Sequence, residues 1–340
     1  MHLDAHVNLP YNALFSTHKH MKPNNITETI NTISSDRLNS YRSYFNLNSD
    51  EECLGLYLWN DALSASFFKL ISIFEVALRN TIHRELSHQF NAHRQQGHAF
   101  DNDWYEHLIA QGQLKPKTVK MIRKVTHLQS RGRGRRNRNQ LIAKNPAPTP
   151  GKVIAAQSFG FWGFLISDTS SNNSIDWQSA LFNGLKGHFA LHSTYWSQNA
   201  LEDFLMRLSQ VNELRNRIAH HEPIWKFTQI RHYSTNQEIY PAASTPEESI
   251  QRMKTLNDRL CRILGWVSED RKNDYLDFHY KSHFDWLTSI EALDVYKSLS
   301  YSNILTPAQA KRRFNAIVKS SKVYEVIGKR GIVTILPGVV

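Results

Sequence analysis

Cysteine is nearly missing from this chain: there are two in 340 residues, Cys53 and Cys261, far apart and without CxxC spacing. That argues against a disulfide scaffold and a zinc cluster, and fits a reducing cytoplasm. Long apolar runs are missing too. The best candidate, Ser64 to Leu78, is interrupted by Lys69 and Glu75 and is too short to span a bilayer. Met1 to Thr17 lacks a basic start followed by an apolar run, so no signal peptide is expected. A soluble, cytoplasmic protein is the expectation. What is abundant points to a globular chain: 41% hydrophobic and 11% aromatic residues, with eight Trp, are enough to bury a real core.

Acidic residues are absent from one long stretch. Between Gln111 and Lys152 there are twelve Lys and Arg and no Asp or Glu. Without these twelve the chain holds 29 basic against 30 acidic residues, so its net charge of +11 is a local device. At its centre lie Arg131, Arg133, Arg135, Arg136 and Arg138, separated by glycine and asparagine. This run is too Gly-rich and self-repelling to be buried. It reads as an RNA-binding arm gripping phosphates, each neutralised phosphate adding affinity through counterion release. The plainer reading is a solvated loop.

Hydrophobic periodicity predicts an all-α bundle. Residues 1–33 are a polar lead-in. A short helix follows at 37–45, then a long one over about 49–90, with apolar residues at three- and four-residue steps from Leu63 to Ile82 and a kink expected near Trp59-Asn60. Residues 101–112 and 115–130 read as helices, the second running into the arginine arm. Pro146, Pro148 and Pro150 close a basic insertion at about 113–152. A buried helix is expected at 153–166, and others at 174–185 and 197–221. From 228 to 340 the pattern predicts a helical C-terminal extension, with helices at 245–266 and 270–289, a Thr-Pro helix start at Thr306-Pro307 and a small terminal β-hairpin around Gly328–Gly331.

The chemistry concentrates at the end of the 197–221 helix, in Glu213-Leu214-Arg215-Asn216-Arg217-Ile218-Ala219-His220-His221-Glu222-Pro223. Arg215, Asn216 and His220 are the minimum for cutting RNA without a metal: a cation for a crowded phosphate, an amide to fix geometry, an imidazole to move protons. On an ideal helix Asn216 and His220 lie about 40° apart, while Arg215 is roughly 140° from His220. One helix therefore does not close Arg215 and His220 around one phosphate, whereas two copies about a two-fold axis could. The helix dipole favours a protonated His220, suited to a general acid. No Asp/Glu cluster has metal-ligand spacing, so no metal or cofactor is expected, and the RNA's own 2′-hydroxyl would attack. The structural alternative is that Arg215 pairs with Glu213 or Glu222 while His220 and His221 cap the helix.

Arg215-Asn216-Arg217-Ile218-Ala219-His220-His221-Glu222-Pro223-Ile224-Trp225 resembles the signature of the Abi-like (abortive infection) proteins of the HEPN superfamily. Leu54 to Asn60, Phe74 to Asn80 and Ser158 to Trp162 match the same pattern in order and spacing, so the resemblance covers about 34–227. It implies a HEPN-type helical bundle, usually dimeric, in which Arg-x4–6-His forms a metal-independent endoribonuclease site, here Arg215, Asn216 and His220. It also implies an RNA-cleaving toxin of anti-phage defence. Glu75, Arg79 and Asn80 could brace the motif helix, or Glu75 and Arg79 could form an ordinary i,i+4 ion pair; His221 reads as a bystander or modulator. RNA as substrate or as a bound regulatory RNA, a second copy of the chain, and an antitoxin or inhibitor are the implied partners. The runner-up reading is a non-cleaving RNA-binding or regulatory module.

Overall fold

The computed structural model describes residues 22–129, 141–231, 237–300, 303–320, 322–329 and 331–335. Among these are fourteen α-helices: α1 (Ile26–Ile33), α2 (Ser35–Phe45), α3 (Asp50–Gln89), α4 (Trp104–Ala110), α5 (Pro116–Thr126), α6 (Pro150–Ala155), α7 (Gly160–Thr169), α8 (Trp177–Gly184), α9 (Gln198–Ala219), α10 (Pro246–Val267), α11 (Glu269–Asp277), α12 (His279–Leu287), α13 (Ile290–Ser298) and α14 (Pro307–Val318). The strands are short: β1 (Gly97–His98), β2 (Asp101–Asn102), β3 (His127–Gln129), β4 (Leu141–Ala143), β5 (Ile230–Arg231), β6 (Glu238–Tyr240), β7 (Ile304–Leu305), β8 (Tyr324–Gly328) and β9 (Gly331–Ile335). They form three two-stranded antiparallel ladders and one sheet in the order β7-β8-β9. The molecule is mostly helical, and β8 and β9 pair as an antiparallel hairpin.

The 40-residue helix α3 is the mast of the fold. Ser49 caps it by accepting the Glu52 N–H at 3.1 Å, and Asp50, Glu51 and Glu52 sit on its positive end. At 1.5 Å per residue it runs about 60 Å, unbroken through Trp59 and Asn60. Of its apolar residues, Trp59, Leu63, Phe67, Leu70, Phe74 and Leu78 are fully buried, while Phe68 and Val76 are exposed. Helices α2, α8 and α9 pack along it, as do α10, α12 and α13 from the C-terminal third, so one continuous core joins both parts of the chain. Trp59 Nε1 donates to the Leu287 carbonyl at 2.8 Å, and Phe67 meets Phe284 edge to face with ring centres 5.0 Å apart.

Two expected helices are split. The 153–166 segment becomes α6 and α7, because Gln157 folds back to donate to the Val153 carbonyl at 2.9 Å and ends the first. Pro150 starts α6, ahead of the expected start at 153, since the first turn of a helix has no use for the missing N–H. The 270–289 segment breaks at Phe278, which is extended. The break lets Tyr275 turn to α10, where it accepts from Asn257 at 3.1 Å, while Phe284 turns to α3. Helix α5 also stops early, at Thr126, and β3 and β4 then bracket the arginine run as a hairpin. No helix among the described residues is long and apolar enough to cross a membrane.

Candidate active site

Helix α9 buries Leu201, Phe204, Leu208, Val211 and Leu214 against the bundle. Arg215 follows Leu208 and Val211 by seven and four residues, so helical geometry puts it in that same inward stripe. Its side chain is half-buried, and its Nε is buried without a hydrogen-bond partner among the described residues. It comes close to Glu75 of α3, whose carboxyl is pushed above the usual range by burial, opposed by Arg215 and then by Arg79. No direct ion pair joins Glu75 to either arginine among the described residues. Arg79 is held in place instead by the Ala155 carbonyl at 3.2 Å and by Asn80 Oδ1 at 3.4 Å. Glu75, Arg79 and Arg215 therefore form one charged cluster, where an i,i+4 pair between Glu75 and Arg79 alone was the simpler expectation.

Asn216 and His220 are exposed. They occupy one stripe at the end of α9, and the His220 N–H donates to the Asn216 carbonyl at 2.9 Å. The helix then closes in a tight cap. The His221 N–H donates to Ile218 O at 3.0 Å and the Glu222 N–H to Arg217 O at 2.9 Å, with His221 in the left-handed region at φ 54°. Arg37 Nη1 donates to the His221 carbonyl at 3.1 Å. Asp61 lies nearby, its carboxyl raised by burial and lowered in part by His221 and Arg37. Glu222 faces Arg217 at 3.9 Å, so its partner is Arg217 rather than Arg215.

The residues beyond the cap are fixed from several sides. Arg217 donates to the Pro223 carbonyl and, at 3.0 Å, to that of Lys226. Asn60, buried in α3, accepts the Ile224 N–H at 2.8 Å. Trp225 is fully buried among Tyr41, Tyr44 and Phe45, with ring centres 4.6–5.2 Å away. Its carbonyl accepts from the Ser249 hydroxyl at 2.9 Å. Asn60, Arg217, Arg37 and Asp61 were all missed in the sequence as parts of this site. Asn60 and Arg217 did lie within matched blocks, whereas Arg37 and Asp61 carried no local signal.

Gly160 explains a third block: a Cβ there would come within 3.3 Å of Asn212 Oδ1, so the start of α7 presses directly on α9. A cavity of about 510 Å³ lies on the other side of α9, between Glu213, Leu214 and Arg217 and the α10 residues Arg252, Leu256 and Arg259. Arg215, Asn216 and His220 do not line it. Arg131, Arg133, Arg135, Arg136 and Arg138 lie outside the described residues. Some other cations of the basic insertion have structural work. Lys115 pairs with buried Asp168 at 3.4 Å, Arg123 with Glu106 at 2.8 Å, and Lys117 sits over the Phe164 ring.

The side chains at the end of α9 thus offer an exposed imidazole and amide on one stripe and a guanidinium backed by a carboxylate on another. Such a set can bind a phosphate and transfer a proton. A family model described as Abi-like protein matches residues 28–226. No curated protein and no solved structure matches the chain.

Proposed function

Because this chain belongs to the Abi-like protein family, we propose that it is a metal-independent endoribonuclease of the HEPN type. The family suggests a role in abortive infection; in the proposed reading the protein is the RNA-cleaving effector of that anti-phage response. The carrying observation is that Asn216 and His220 stand exposed on a rigidly capped helix end, none of Arg215, Asn216 and His220 held by a side-chain hydrogen bond or ion pair among the described residues. Polar side chains so placed are free to take up a ligand.

In the proposed reaction the 2′-oxygen of the RNA attacks the adjacent phosphorus while its proton passes to solvent. The bond from phosphorus to the 5′-oxygen breaks, and protonated His220 delivers its proton to that leaving oxygen. Arg215 offsets the negative charge building on the crowded phosphate, with Glu75 orienting the guanidinium from behind. Asn216 holds the phosphate or the His220 ring. The products are a 2′,3′-cyclic phosphate and a 5′-hydroxyl. Since Arg215 and His220 diverge by about 140° on α9, the cleft is completed by a second copy of the chain.

The test is incubation of purified protein with end-labelled RNA in EDTA, wild type beside His220→Ala. Cleavage with cyclic-phosphate ends is expected, slowed by about 10²- to 10⁴-fold in the variant. Products with 3′-hydroxyl ends, or a variant as fast as wild type, would discard the mechanism. Tight RNA binding without cutting would favour a binding module instead.

A further inference from the structure

Beyond Lys297 the chain holds seven Lys and Arg against a single acid, Glu325, and that carboxylate is buried. The unit built from α14, β7, β8 and β9 therefore shows solvent one sign of charge. Lys311, Arg312, Arg313, Lys319, Lys322 and Lys329 are all exposed, and none makes an ion pair or a side-chain hydrogen bond among the described residues. This second cationic surface lies outside the family-matched residues 28–226 and far along the chain from the arginine run.

Helix α14 is built to present this surface. A reciprocal cap fixes its start: Thr306 Oγ1 accepts the Gln309 N–H at 3.3 Å, and Gln309 Oε1 accepts the Thr306 N–H at 2.8 Å. Ile317 is its one buried residue, and it anchors the helix on β7 and β8. The two large apolar residues Phe314 and Val318 point outward instead, 59% and 60% exposed. With Lys311 they span an arc of about 60° on the helix, and Arg312 and Lys319 lie together about 80–100° to one side of Lys311. A helix that turns its only aromatic ring to water beside uncompensated cations has the parts a single-stranded nucleic acid needs: charges for phosphates and a flat face for a base. A bilayer surface would require a continuous apolar face along the helix, whereas α14 exposes two large apolar residues, Phe314 and Val318.

We propose that α14 and the adjoining hairpin form an RNA-docking surface that holds the strand while the α9 site cuts it. This rests on the ribonuclease reading and extends it to how the substrate is gripped. The test uses the full chain carrying His220→Ala, so that RNA stays intact, and fluorescence anisotropy with a labelled single-stranded RNA over a range of salt. Combined Lys311→Gln, Arg312→Gln and Arg313→Gln substitutions should weaken binding about tenfold or more, and flatten the dependence of log affinity on log salt by about 2. Phe314→Ala should weaken binding about fivefold or more with the salt slope unchanged. Lys311→Arg with Lys319→Arg, which keeps the charge, should leave affinity intact, and thermal unfolding of all variants should match the parent.

Affinity and slope unaffected by the triple substitution would overturn the proposal, as would failure of the parent to bind RNA. So would loss of binding only to phosphatidylserine vesicles, which would make the surface a membrane contact. If the wild type proves unable to cleave yet the triple substitution costs RNA affinity, the docking surface stands and the ribonuclease reading falls. If the wild type cleaves and the triple substitution leaves RNA affinity unaltered, the ribonuclease reading stands and the docking surface falls.

Discussion

His221 adopts φ 54°, a conformation that costs most L-residues about 1 kcal/mol or more. Glycine meets no such strain, and the cap bonds at this position use backbone groups of His221, not its imidazole. His221→Gly is therefore expected to stabilise the fold by about 1 kcal/mol in denaturant unfolding. If His220 is the general acid, as proposed, cleavage should persist; loss of cleavage would transfer that role to His221. Glu75 presents the opposite balance. Burial holds its carboxyl above the ordinary value of 4.5, so the fold favours the protonated form. Its stabilising contribution is complete at pH below that value and is lost as pH rises through the raised one. Glu75→Gln, which cannot ionise, should match wild type at low pH and become progressively more stable than it as pH climbs toward neutrality. Its cleavage rate should drop about tenfold to a hundredfold as Arg215 loses its orienting charge. Thermal denaturation across pH 4 to 8 checks the first part; parallel pH curves for the two proteins would rule out a raised carboxyl.

At the scale of elements, glycine sets the distance between α3 and α13. A Cβ at Gly55 would sit 2.0 Å from the Tyr296 carbonyl oxygen, which is backbone and cannot swing aside. Gly55→Ala must push α13 off α3, loosening the packing around Trp59 and the Asn60 bond to Ile224 that fixes the chain beyond α9. The expected result is a loss of several kcal/mol in chemical denaturation, in the range of strong overpacking; an unchanged midpoint would show that the helices yield. The sequence made these elements legible to different degrees. Periodicity revealed α3, α9 and α10, because their apolar stripes are local signals. The division of α6 from α7 was hidden, since Phe159 to Phe164 is apolar all round and has no period to lose. Arg215 pointing inward was readable from Phe204, Leu208 and Val211, each step being three or four residues. Its neighbour Glu75 was found through the matched block, but the charge cluster itself depends on how α9 lies across α3. The cations of α14 escaped notice because folding, not sequence, gathers Lys311 with Lys319 and Lys329 while burying Glu325.

At the scale of the whole molecule, the chain beyond residue 226 is not detachable from the matched region. Helices α10, α12 and α13 cover α3, and Tyr44 bonds both the Thr245 carbonyl and the Ser249 hydroxyl at 2.7 Å beside buried Trp225. The end of α9 is thus held rigidly by the entire chain, and it cannot bend to bring Arg215 around to His220. Rigidity makes the proposed composite cleft a question of symmetry. If each cleft takes Arg215 from one copy and His220 from the other, Arg215→Ala and His220→Ala proteins should each be inactive alone. Co-refolded in equal amounts, half of the dimers are mixed, and each mixed dimer holds one cleft with both groups and one with neither. Activity should then return to about a quarter of wild type. If both groups came from the same copy, no mixture would recover activity, because no chain in it carries both. If one shared cleft used both residues of both copies, the mixed dimer would hold one arginine and one histidine, and its rate would fall between the two cases. Cleavage rate against mixing ratio separates the three, with a maximum at equal proportions required for any composite site and a flat line at zero excluding it.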